Sequence, residues 1–323
     1  MRSKAAMRHL VPGALGGPPS LNLRPRHMGR RRRYRARHIR SAGNIDCEWR
    51  RLRGFGSASS EILGRSRSSE IQTVTIDSSD VGFESRSDCG EWSALPTTGP
   101  QATTFGPGLW IVGVDIAPGT YRADGANCSW RRLRGFGENS NDTIEVESAT
   151  IVEIGPSDTG FSATAACGSW VVAPTTGPQA TTFGSGAWIV GVDIAPGIYR
   201  STGMAQSCYW RRVSGFGGGY DESIEVGFAG GIQTVSILVT DAGFSADEDC
   251  GTWSLIPTEG SQATSFGPGV WLVGVDIAPG TYRSDGTGGS CFWARLSGFG
   301  GTFDESISLE FGSGPQIANI EPT

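Results

Sequence analysis

One string recurs three times and constrains the fold more than any other feature: WIVGVDIAPGTYR at Trp110–Arg122 returns as WIVGVDIAPGIYR from Trp188 and as WLVGVDIAPGTYR from Trp271. Each copy runs on into a Cys-x-Trp block, whose cysteines are Cys128, Cys208 and Cys291, and the same block stands earlier at Cys47. Successive blocks are 81, 80 and 83 residues apart. A Cys-Gly-x-Trp block follows half a unit later and supplies Cys89, Cys167 and Cys250. Pro-, Gly- and Thr-rich stretches such as PTTGPQATTFGPG separate the units and read as short linkers. A strict period of this length is the signature of a tandem array of small modules. The spacing predicts modules at 40–96, 104–174, 182–257 and 265–323.

Seven cysteines are an odd number, but three pairs within units use six: Cys47 with Cys89, Cys128 with Cys167, and Cys208 with Cys250. Cys291 is left over, because alignment of the last unit on the third places its partner just beyond Thr323. It is expected to be a free thiol. Zinc binding is the competing account of paired cysteines, but two thiols some forty residues apart with no histidine beside them make a poor site. Disulfides imply an oxidising compartment, hence an extracellular or cell-surface protein, and a module this small gains much from a covalent staple.

Residues 1–40 hold twelve Lys or Arg and no acidic residue, which suggests a nucleic-acid arm or targeting segment. The genetic code offers another account. Codons for VGVDIAPGTY, read one base out of step, can spell RRRYRARHI, the residues Arg31–Ile39. Residues 1–39 are therefore expected to be a disordered, out-of-frame segment, and module 1 to lack its first strand. Residues 1–20 have no proper signal-peptide core, so the natural start is expected to lie elsewhere. Without the basic segment, residues 41–323 hold 15 basic and 32 acidic side chains, a net of −17. That charge argues against a nucleic-acid partner. No apolar run approaches a transmembrane span.

Within the second unit, WIVGV, GTYRA, CSWRRLRGF, DTIEVE, TIVEIG, GFSATA and GSWVVA alternate with turn residues. Such short runs, rich in β-branched and aromatic residues, predict strands. In TIEVE the alternation predicts Ile144 and Val146 facing inward, with Thr143, Glu145 and Glu147 in water. Pro118-Gly119 suits a type II turn. The fold class is all-β, a row of small antiparallel β-sandwiches with one disulfide each, or β-barrels as the alternative. Trp130 and Trp170 are expected to pack on the cystine.

His9, His27 and His38 all fall in the suspect segment, and the only lysine is Lys4. Modules with these boundaries have no histidine or lysine, which removes Ser-His-Asp and Cys-His catalysis, histidine metal sites and Schiff-base chemistry. Carboxylates remain. Asp115 and Asp158 recur as Asp193 and Asp241, and in part as Asp276 and Asp80. Such pairs serve glycoside hydrolysis or calcium binding, or simply cap turns. The chain is read as no enzyme, with no catalytic or metal residues and no cofactor. Candidate ligand contacts are Trp110, Trp188 and Trp271, as platforms for sugar rings, and Arg131, Arg132, Arg211 and Arg212, as a cationic strip. The alternative for the tryptophans is core packing, and for the arginines salt bridges to acidic strands. The glycines of GFGGG are no phosphate loop, since no Lys or helix follows them.

The unit pattern of VGxDIAPGTYR, Cys-x-Trp, a GFGG turn, an SDxGF turn and Cys-Gly-x-Trp resembles repeats in uncharacterised secreted or lipoprotein-like proteins of actinobacteria and related bacteria. The resemblance covers residues 40–323 and implies no particular activity. The expected function is a non-enzymatic extracellular or cell-surface binding or adhesion array, whose partner is an extracellular protein or glycan. The alternative is a carbohydrate- or cell-wall-binding accessory module, and the third reading a calcium-stabilised structural repeat.

Overall fold

The structure is a computed structural model that describes residues 37–42, 46–56, 58–136, 140–203, 207–287 and 289–322. Residues 1–36, on which most of the segment expected to be out of frame falls, lie outside them.

The second and third modules are complete and alike. Each builds two four-stranded antiparallel sheets from eight short strands. In module 2 one sheet runs Thr143–Glu147, Trp130–Leu133, Gly160–Ala163, Gly108–Ile111, and the other Ile151–Ile154, Gly119–Ala123, Trp170–Val172, Thr104–Phe105. No strand pairing closes either sheet into a barrel, so the sandwich holds. The strands form where the sequence alternates, and they stop at Gly, Pro and Asp.

Cys128 and Cys167 bond across this sandwich, as do Cys47 with Cys89 and Cys208 with Cys250, while Cys291 is free. Trp130 and Trp170 are fully buried in one cluster with that cystine, Tyr121, Phe161 and Val152. The third module repeats the cluster with Trp210, Trp253, Tyr199 and Phe244. Among the described residues no helix is long and apolar enough to cross a membrane.

Module 1 has two three-stranded sheets, and no described residues supply counterparts of Thr104–Phe105 and Gly108–Ile111. Its opening strand, Arg37–Ser41, takes in Arg37, His38 and Ile39, pairing with Thr73–Ile76 and Trp92–Ala94. Backbone pairing tolerates most side chains, so these residues join the sheet despite their unrelated sequence. The first module therefore carries a histidine. His38 Nδ1 lies 2.9 Å from Thr75 Oγ1 and its ring meets Phe136 of module 2 edge-on. In module 4 the described strands form two pairs, Gly280–Arg283 with Ile317–Ile320 and Ser290–Leu296 with Ser306–Ser313.

Two local expectations are corrected. Gly119 adopts φ +152°, far from the roughly 80° of a type II turn, because Pro118-Gly119 leads straight into a strand. In TIEVE the orientation is reversed: Val146 is exposed, while Glu145 and Glu147 are partly buried. Glu147 stands opposite buried Trp130, and Gly218 of the next module closes over this face. A Cβ at Gly218 would come within 2.8 Å of the Glu145 side chain and 2.9 Å of the Trp130 ring. The glycine, at φ +92°, is what lets the module turn approach.

Candidate functional site

The carboxylates and arginines singled out by sequence are used where one module meets the next. Asp115 Oδ2 accepts the Ile111 amide at 2.8 Å, which braces the VGVD turn. The same carboxylate is gripped by both terminal nitrogens of Arg40, from the preceding module. Asp193 accepts Ile189 N at 2.7 Å and pairs with Arg122 of module 2. Asp276 accepts Leu272 N at 2.8 Å and pairs with Arg200 of module 3 at 3.1 and 2.5 Å. Its hydrogen bond from Arg200 holds its carboxyl below the usual value. Arg40, Arg122 and Arg200, which close the triplets HIR, TYR and IYR, are positions of the joint that the sequence reading missed. Their signal was there: the arginine recurs in step with the aspartate of the following unit.

The tryptophans belong to the same joint. Trp110, Trp188 and Trp271 are half-buried, and each Nε1 donates to a glycine carbonyl four residues back, at 2.9, 3.1 and 3.0 Å. A phenylalanine packs beside each ring. The guanidinium carbon of Arg40 sits 5.4 Å from the Trp110 centroid, and that of Arg200 5.7 Å from Trp271, within cation–π range. In Trp110 and Trp271 the ring face under the arginine is not free to stack on a sugar.

The second set of bonds runs forward from the WRR strand. Arg132 makes a bidentate pair with buried Asp158 at 2.8 and 3.0 Å, and its remaining nitrogen donates to Gly217 O of module 3 at 3.0 Å. Arg212 does the same with Asp241, at 2.8 and 2.9 Å, and with Gly300 O of module 4 at 3.0 Å. Asp158 and Asp241 also cap the Gly155 and Leu238 amides. The hydrogen bond to Asp158 pushes the Arg132 guanidinium up. Backbone bonds complete the joint, from Glu153 N to Phe216 O and from Ser236 N to Phe299 O. The GFGG turns are thus docking surfaces for the preceding module. The other arginine of the WRR in module 3 looks backward: Arg211 approaches Glu147 of module 2 at 3.9 Å.

Arg131 lines a cleft of about 350 Å³ between modules 1 and 2, with Trp130, Glu70, Gln72 and the hydroxyls of Ser68, Ser129, Ser162 and Thr164. Burial pushes the Glu70 carboxyl up. Among the described residues the one grouping with metal-ligating geometry is Cys208, Asp247 and Cys250. It consists of a disulfide and a carboxylate that accepts the Cys250 amide, so the sulfurs are already bonded to each other.

What varies between modules lies on the outer face of the Cys-bearing hairpin. One cross-strand pair is Glu48–Arg67 in module 1, Tyr209–Phe228 in module 3 and Phe292–Phe311 in module 4. At the first residue of the neighbouring 3-10 turn, modules 1 and 2 have Ser59 and Ser140, whereas modules 3 and 4 have Tyr220 and Phe303. Both aromatic rings are 95% exposed.

A family model described as the Rv1352-like extracellular domain matches residues 33–93, 102–171, 180–254 and 263–323. No curated protein and no solved structure matches the chain.

Proposed function

The chain belongs to the family of Rv1352-like extracellular domains, and on that premise we propose that this extracellular repeat protein is a non-enzymatic binding array whose modules 3 and 4 present aromatic anchors to a protein partner. The observation that carries the reading is the recurrence of a fully solvated aromatic, Tyr220 and Phe303, at one position of two successive modules. Isolated apolar side chains on a surface are ordinary. Two at the same site of a locked repeat are a spaced pair of the residue type that dominates interface energetics, and two linked contacts bind more tightly than either alone. Support for a non-catalytic role comes from the aspartates: Asp115, Asp158, Asp193, Asp241 and Asp276 each carry an arginine, which also leaves the calcium reading with little to stand on. The net −17 of residues 41–323 works against nucleic acid as the partner. Within the family, an actinobacterial or related source fits the arginine-only cations of the modules.

A second reading, carbohydrate binding, is favoured by the hydroxyl-lined cleft beside Arg131 rather than by the tryptophans. The full chain, applied to immobilised envelope proteins and to a glycan array, separates the two. Saturable protein binding that drops in the Tyr220→Ser and Phe303→Ser variants supports the first. Glycan binding lost in Arg131→Ala and kept in the tip variants moves the function to the cleft. Turnover of glycoside substrates abolished by Asp115→Asn would reverse the non-enzymatic assignment.

A further inference from the structure

The strand Ser223–Ala229 ends its sheet, with Cys208–Val213 on one side. Among the described residues no backbone hydrogen bond joins its other side to the rest of the chain. Ile224, Val226 and Phe228 form its outer row at 38, 43 and 73% exposure. The strand has no Pro or Lys and a single charged residue, Glu225, so it carries little of what natural edges use to deter pairing. Such an edge is a template for another strand.

The charge pattern selects the partner. If two such strands lie antiparallel about a two-fold axis at Val226, Ile224 falls opposite Phe228 and Glu225 opposite Gly227. The apolar rows meet, and no carboxylate directly faces another. The same operation on Thr143–Glu147, centred on Val146, sets Glu145 against Glu147. On Ile62–Ser68, centred on Arg65, it sets Arg65 against its own copy. Like charges directly opposed destabilise a strand pair. Self-pairing is therefore repelled in modules 1 and 2 and permitted in module 3. Module 4 also permits it, since an axis at Leu309 places Glu310 opposite Ser308, but its sheet has two strands, and a lone hairpin is a poor platform.

We infer that Ser223–Ala229 is a homophilic edge, through which two copies of this chain pair antiparallel about Val226 and merge their sheets. A two-fold interface of this kind is self-complementary and closed. It goes beyond the aromatic tips Tyr220 and Phe303 assigned to partner binding and does not depend on them.

Sedimentation equilibrium of the full chain tests it. The wild type dimerises with rising concentration. Val226→Glu places two carboxylates on the axis and raises the dimer dissociation constant by at least about tenfold. Phe228→Ser, at the most exposed end of the row, weakens the dimer in the same direction, whereas Val146→Glu, the same position in module 2, leaves it unchanged. Mixing Val226→Glu with Val226→Lys restores association as a heterodimer. A wild type that stays monomeric overturns the inference, and so does a dimer indifferent to Val226→Glu or one disrupted by Leu309→Glu instead. Envelope binding unchanged in Tyr220→Ser and Phe303→Ser, with a dimer that Val226→Glu disrupts, would fault the partner reading alone.

Discussion

At the scale of single residues, the arginine–aspartate pairs set both strength and pH response. Arg212 and Asp241 are buried together, and each oxygen of the carboxylate has a donor. A buried pair is expensive to assemble, but removing one member leaves an uncompensated charge. Asp241→Asn is therefore expected to cost about 3–5 kcal/mol, read as a lower denaturant midpoint. Asp276 is partly exposed and its carboxyl is held below the usual value, chiefly by the hydrogen bond from Arg200. Its folded pKa lies under the unfolded one of about 3.9, so its stabilisation is fully present above that pH and fades as pH falls through the folded value. The thermal-midpoint gap between wild type and Asp276→Asn is expected to close on acidification, and a gap independent of pH would contradict the assignment.

At the scale of elements, cysteine spacing and strand alternation were legible, and side-chain direction was not. The period-two pattern of TIEVE is the same whichever face is buried. It assigned Val146 to the inside because apolar residues normally face the core, yet the inner face of that strand lies against the Gly218 turn of another module. The disulfides needed only spacing, since each joins a cysteine at or two residues before the start of a strand to the 3-10 turn before the last strand. The Cys208–Cys250 bridge spans 42 residues, and its loss is worth about 4 kcal/mol by loop-closure entropy. A Cys208→Ser, Cys250→Ser variant is expected to unfold module 3 at lower denaturant while Cys128–Cys167 keeps module 2 folded, as protection from hydrogen exchange in each module would show.

At the scale of the whole molecule, joints repeat as regularly as modules. In an array where each unit touches its neighbours, stability is a sum of unit and interface terms. Arg122 is the single cation on Asp193 among the described residues. Arg122→Ala is therefore expected to uncouple modules 1 and 2 from modules 3 and 4, splitting calorimetric unfolding into two transitions. An unchanged single transition would show that the WRR bonds alone carry the coupling.

The number of units, the cysteine partners and the all-β sandwich could be read from the chain alone, because they rest on a strict repeat, on cysteine spacing of about forty residues and on local alternation. The packing of modules was needed to show that Arg40, Arg122 and Arg200 grip the next module, that Trp110 and Trp271 lie beneath Arg40 and Arg200, and that Val146, Val226 and Leu309 face outward. The arginine–aspartate grips and the forward bonds of Arg132 and Arg212 join residues 71 to 88 positions apart. Nothing in local patterning encodes a partner at that distance, and only the docking of one module on the next tells which face of a strand meets water.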